Sequence, residues 1–385
     1  MGASPALHKE PRVLEIETLE QFDRLVAEGA KTLRAGAGQS LSGWHFQSVD
    51  LRERTGVLRD LDPSGAIFLG CDFEPRMEEW LRARGALLFP VLPGIPFDPY
   101  RAAVYTPAEL FDGLAAAEYE ATPDATIYAW STQPAARVNL DATLAASLHD
   151  HAVGDAMDAL FDGPGFNGRK VVGVMGGHAA QRGSKTYDDA ARLGRQLANA
   201  GCAVATGGGP GAMEAANLGA YLSSAKDSAF AQALASLAEV PSFRPSVTAW
   251  ARAAARVLEQ HRGGVVNLGI PTWHYGHEPP NLFATHIAKY FANAIREAVL
   301  LERCNGGIVF LPGAGGTVQE IFQDACENYY ATPEKLSPMI LVGASYWTEQ
   351  LPVWPLLQSL ARGRAMEEAI HLVDSVEAAV ELTLP

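Results

Sequence analysis

The chain has 385 residues, of which 48% are hydrophobic and 19% charged, enough to bury a sizeable core and, by length, to form two domains rather than one. A formal net charge of -14 and a pI near 5.2 argue against a nucleic-acid backbone as partner, because no surplus of Lys and Arg exists to replace its counterions. No run approaches the ~20 apolar residues of a membrane span, and the first ten residues lack an apolar signal core, so a cytoplasmic protein with no membrane contact is expected. The cysteines (Cys71, Cys202, Cys304, Cys326) are far apart with no C-x-x-C pair, which predicts buried free thiols rather than a zinc knuckle or a disulfide framework.

Residues 1–139 read as a separate, smaller α/β domain. Strands are expected at 12–16, 66–70 and 87–92, with helices at 19–29 and 74–84, where apolar residues recur at helical spacing. No catalytic motif occurs here. His45, between Trp44 and Phe46, reads as a satisfied half-buried histidine more readily than as a ligand contact. An alanine-rich helix over 140–161 is expected to pack rather than to act as a free linker, which places the boundary near residue 139 and a second domain over 140–385.

From Val171 strand and helix alternate regularly, the signature of a Rossmann-like, doubly wound parallel sheet. A strand at 171–175 ends in Gly176-Gly177, and a crossover helix follows at 187–200. The next strand, 202–206, runs into Gly207-Gly208-Gly209-Pro210-Gly211 and then a helix over 212–223 that carries Met213. Residues 227–262 look like an alanine-rich helical insertion, structural or at a subunit contact, and a strand is expected at 265–270. The loop from Pro271 to Asn281 is the most unusual in the chain. Its His274, His277 and Glu278 invite a metal reading, but the prolines and Gly276 forbid the helix on which such ligands converge, so no metal is expected. Trp273, Tyr275, His277, Glu278 and Asn281 suit stacking on a base and bonding its edge, against the plainer reading of a structural loop.

A long helix is expected over 281–303, with its apolar stripe through Phe283, Ile287, Tyr290 and Phe291. On that phase Arg296 falls nearly opposite the stripe and reads as solvent-exposed. The strand at 307–311 then enters Pro312-Gly313-Ala314-Gly315-Gly316, and a helix opens near Thr317. Glycines let the backbone approach a ligand closely, and free N–H groups at a new helix point at an anion. Thr317 and Glu320 also stand at capping-box spacing, so both can be read as serving the helix end alone. A strand at 338–343, a helix at 346–361 and a closing strand and helix over 370–385 complete the chain.

Two strand-glycine-helix turns suggest one ligand between two helix ends. The pair Gly207 to Ala215 and Pro312 to Glu320 resembles the two signatures of the LOG ("lonely guy") family, GGGxxGLM and PGGxGTxxE, over roughly residues 171–343. The phrase GPGAMEA is most similar to the bacterial nucleotide 5'-monophosphate nucleosidase branch. Ala314 departs from the pattern, standing where the family has its second glycine. The resemblance implies a phosphoribohydrolase that cuts the N-glycosidic bond of nucleoside 5'-monophosphates, with no cofactor. It implies that Glu320 and an arginine about fifteen residues before the motif proline, here Arg296, are the catalytic pair. By the same resemblance Gly176, Gly177, Gly207, Gly208, Gly209, Gly211, Met213, Gly313, Gly315, Gly316 and Thr317 hold phosphate and ribose. A homodimer, or a multiple of dimers, and a regulatory role for the N-terminal domain are further implications. Purine nucleotides are favoured because they offer the larger face to stack. The competing expectation is a non-catalytic nucleotide-binding protein like the molybdenum-cofactor carriers, whose glycine turns look alike.

Overall fold

The computed structural model describes residues 14–32, 39–274 and 278–384. Packing divides the chain into two compact units, residues 1–102 with 140–152, and residues 103–139 with 153–385. A single cut at 139 is not where the packing divides, because residues 103–139 fold with the later part of the chain. Tyr119 N donates to Thr248 Oγ1 at 2.9 Å, and Tyr105 forms an antiparallel bridge with Ile287.

The first unit carries a four-stranded parallel sheet of β1 (Leu14–Ile16), β2 (Trp44–Gln47), β3 (Ile67–Leu69) and β4 (Leu87–Phe89), paired in chain order. Strand β2, which holds half-buried His45, has no counterpart among the expected elements. A short repeat underlies the stack: Ser42-Gly43, Ser64-Gly65 and Arg84-Gly85 each turn the chain into the next strand, with glycine φ of 78°, 76° and 88°. Register then places Phe46 on Phe68, with ring centroids 4.4 Å apart, in a core that includes Ile16 and Phe22.

The second unit is built on seven strands: β5 (Val171–Met175), β6 (Ala203–Thr206), β7 (Leu268–Gly269), β8 (His286–Ile287), β9 (Ile308–Phe310), β10 (Met339–Val342) and β11 (Ile370–Val373). Their order is β11-β10-β9-β5-β6-β7-β8, with every neighbouring pair parallel. The chain therefore winds outward from β5 to β8, returns to the other side of β5 at β9, and winds outward again. This is the doubly wound, Rossmann-like sheet that the alternation predicts. Its switch point lies between β5 and β9, where loops leave in opposite directions and open a crevice at the strands' carboxyl ends. Helices Lys185–Asn199 and Ala212–Tyr221 pack closely against each other, because a side chain at Gly194 or Gly219 would collide with the carbonyl of Ala216 or Ala191 on the facing helix.

Some expected elements differ. The insertion is two helices, Asp227–Ala238 and Val247–Gln260, joined by residues 239–246. The expected helix over 281–303 exists only as Asn293–Arg303, and residues 281–292 are non-helical, containing β8 and a bridge from Thr272 to Tyr290. Phe283, Ala284, Ile287, Ala288 and Tyr290 are all fully buried, so the spacing that looked like one helical stripe belongs to a segment enclosed on both sides. The expected helix at 346–361 breaks at Pro352 into a turn at Tyr346–Gln350 and a helix at Val353–Ala361. Cys71, Cys202 and Cys304 are buried free thiols, whereas Cys326 is exposed. Among the described residues no helix is long and apolar enough to cross a membrane.

Candidate functional site

Four loops meet at the carboxyl ends of β5, β6, β7 and β9. Gly176 and Gly177 leave β5 with φ of 91° and 68°; a side chain on Gly176 would strike the Leu311 carbonyl, and one on Gly177 would come within 2.6 Å of Ala212 Cβ. Leu311 N donates to Met175 O, and Ala212 N to Gly177 O, each at 2.9 Å. On the far side Gly208 N donates to Thr206 Oγ1 at 2.9 Å, and Asn281 N to Gly208 O at 2.8 Å. Glycine is required here by closeness as well as by conformation. Met213 lies over the same turn, its Sδ 2.9 Å from where a Gly207 side chain would begin. Gly207, Gly208, Gly209 and Gly211 are buried, and Gly211, with φ of 76°, precedes a helix that no side chain caps.

The second glycine turn is open. Its helix, Gly315–Tyr330, begins two residues before Thr317, and Ala314 occupies the N-cap position without a capping side chain. The capping box therefore does not form: Thr317 and Glu320 are buried inside the helix, Thr317 against Gly313 and Gly176. Ala314 has a φ of -105°, outside the left-handed region that favours glycine. A side chain at Gly315 or Gly316 would meet nothing within 4 Å. Uncapped N–H groups at an accessible helix end form a ready anion site.

Arg296 is buried, contrary to its expected exposure, since the true helix begins at Asn293 and turns Arg296, Glu297, Leu300 and Leu301 inward. Its Nη1 stands 3.3 Å from Glu320 Oε1 and 3.1 Å from Glu297 Oε2, and 3.9 Å from where a Gly207 side chain would begin. One guanidinium thus links the first glycine turn to the glutamate beyond the second. Burial pushes Glu320 up to about 7; Arg296 opposes that shift, and the nearby charge of Glu297 adds to it. Asp324, one turn further along, is pushed well above the ordinary carboxylate range by burial, and the charge of Glu327 adds to this. Its Oδ2 has no hydrogen-bond partner among the described residues.

The expected base-reading loop is divided. Trp273 belongs to the core: it is 3% exposed, its ring lies tilted against that of Phe291 with centroids 4.7 Å apart, and it donates from Nε1 to Asp124 Oδ1 at 2.9 Å. Lys289 Nζ lies 2.6 Å from the same carboxylate and 5.0 Å over the Trp273 ring. Asn281 is fully buried, its amide donating to Gly209 O and Asn217 Oδ1 while its Oδ1 accepts from Phe283 N and Ala284 N. Neither side chain can meet a base. Tyr275 and His277 lie outside the described residues. Glu278 is exposed, its Oε2 3.6 Å from where a Gly209 side chain would begin. Among the described residues no group of His, Cys, Asp and Glu could hold a metal ion.

Sequence reading missed the wall beside the first turn. Arg182, 3% exposed, forms a two-pronged pair with Glu214 and donates to Trp250 O, while its own N donates to Pro241 O at 3.0 Å. Its guanidinium also lies 4.7 Å over the Trp250 ring. The insertion is thereby tied to the helix after Gly211. Between them opens a cavity of about 310 Å³, bordered by His178, Gly211, Phe243, Arg244 and Glu278. No spacing rule connects Arg182 to Glu214 or either to the insertion, so nothing in the sequence announced it.

The SLOG cluster4 family profile matches residues 169–226, from β5 through the first glycine turn and its helix. No curated protein matches the chain. Among solved structures, it is similar to the molybdenum cofactor binding protein of the phototrophic bacterium Rippkaea orientalis, at 20% identity and a TM-score of 0.35, covering 56% of this chain and 94% of that one. It is also similar to the molybdenum cofactor carrier protein of Chlamydomonas reinhardtii, at 18% identity and a TM-score of 0.35, covering 55% of this chain and 94% of that one.

Proposed function

We propose that this protein hydrolyses the N-glycosidic bond of nucleoside 5'-monophosphates, releasing free base and ribose 5-phosphate. The observation that carries the reading is the buried Arg296–Glu320 pair, 3.3 Å apart between two glycine turns. The phosphate takes the open N-terminus of Gly315–Tyr330, where Gly315, Gly316 and Thr317 present N–H groups, Gly315 and Gly316 leave open space, and Gly176 and Gly313 let Thr317 pack close beneath. As the bond to the base lengthens, positive charge develops on the ribose, and Glu320 is the carboxylate placed to stabilise it. Water adds to the anomeric carbon, its proton passes to Glu320, and the base leaves with the bonding electrons and takes up a proton. A carboxyl group poised at about 7 suits this exchange near neutrality. Arg296 holds Glu320 in place and offers its guanidinium toward the Gly207 turn. The matched family profile covers the first turn, and the resemblance of the second motif is consistent with the same chemistry.

The test is direct. Arg296→Ala and Glu320→Ala are each expected to lower the rate of base release from purine nucleotides by about 10²-fold or more. Circular dichroism checks that both variants fold. Variants that fold and keep near-full activity would remove the assignment, and tight nucleotide binding with no base released by the unaltered protein would favour a carrier.

A further inference from the structure

We infer that the cavity between the first glycine turn and the helical insertion binds a heterocycle carrying a 2-amino-oxo edge, the edge of guanine, with Glu278 and Arg244 as its specificity-determining residues. This deepens the nucleotide reading above and rests on it for the placement of the phosphate. The cavity adjoins Gly211, and Gly211 touches the Gly177 step beside the switch point, so its occupant lies next to the ligand-holding turns. At about 310 Å³ it holds a heterocycle rather than a macromolecular segment.

The chemistry of its walls narrows the choice. Arg182 and Glu214 are engaged with each other and with backbone, so they shape the wall and read nothing. The side chains left to meet a ligand are His178 and Gln181, which donate or accept, Phe243, which offers an apolar ring, and the exposed ends of Arg244 and Glu278, the two charges among them. Arg244 lies 5.6 Å over the Phe243 ring, and Glu278 stands beside Gly209 with the charge of buried Lys289 behind it. A carboxylate accepts two N–H groups side by side, and guanine presents such a pair at N1 and its 2-amino group. A guanidinium donates two hydrogen bonds side by side, and guanine offers O6 and N7 to it. Adenine reverses the polarity at N1 and at position 6, has no 2-amino group, and keeps only the N7 acceptor. Hypoxanthine keeps O6, N7 and N1–H but lacks the amino group.

Binding is measured by calorimetry on the full chain in a Glu320→Gln background, which leaves the ligand intact, with GMP, IMP and AMP as probes. GMP is expected to bind at least about tenfold more tightly than IMP or AMP. Glu278→Gln should bring GMP down to the level of IMP and leave IMP unchanged, whereas Arg244→Ala should weaken GMP and IMP alike relative to AMP. Equal binding of AMP and GMP, or a GMP-to-IMP ratio untouched by Glu278→Gln, would overturn the inference. Pterins carry the same edge, and competition between neopterin and GMP identifies the source; displacement by either supports the edge. Selective GMP binding without base release by the unaltered protein would leave this inference standing and sink hydrolysis. Base release without selectivity would do the reverse.

Discussion

Glu320 gives up most of its hydration for a place beside Arg296, and its protonation equilibrium records this. Its pKa of about 7 in the folded chain exceeds the ordinary 4.5, so the folded protein binds that proton more tightly than the unfolded chain does. The stability this confers is complete below the unfolded pKa and is lost as pH rises through about 7. Glu320→Gln abolishes the titration, so the variant should gain stability relative to the parent between about pH 5 and about pH 8, by no more than ~3 kcal/mol. Denaturant unfolding at both pH values measures it, and a difference that stays constant would mean that Glu320 does not titrate in this range. A side chain that lowers stability when ionised and stands between the two glycine turns fits the role proposed for Glu320 in hydrolysis.

Among elements, the buried parallel strands were readable because each is a continuous apolar run: Val171–Met175, Ala203–Thr206 and Met339–Val342 are enclosed on both faces. Strand β8 escaped because two residues carry no period, and its flanking apolar residues fit helical spacing by coincidence. That error set the wrong helical phase and turned Arg296 outward. Hydrophobic periodicity cannot find a buried face made of Arg296 and Glu297; only the resemblance to a known motif pointed there. Aromatic content likewise does not separate a ligand platform from a core residue, and Trp273 and Asn281 belong to the core. Asn281→Ala should therefore act through folding. It removes four hydrogen bonds and leaves buried partners unsatisfied, at a cost of about 2–4 kcal/mol, with the order of preference among nucleotides unchanged. A changed base preference at unaltered melting temperature would contradict the structural role.

For the whole molecule, the two helices that carry Arg296 and Glu320 each expose a large apolar side chain. Ile295, next to Arg296 on the same helix, is 46% exposed, and Tyr330, which closes the Glu320 helix, is 80% exposed. We propose that a second copy covers them, so that the chain is a homodimer with its sites near the interface. Light scattering at micromolar concentration should give about twice the monomer mass of 41.1 kDa, and a monomer mass would refute the assembly.

The central claim is that water attacks the ribose, and the fate of its oxygen decides the matter. Turnover of GMP in water enriched in heavy oxygen should give free guanine and ribose 5-phosphate in equal amounts. Mass spectrometry should find one solvent oxygen incorporated in the sugar phosphate and none in inorganic phosphate. Labelled inorganic phosphate with intact nucleoside, or no product at all, would contradict the account.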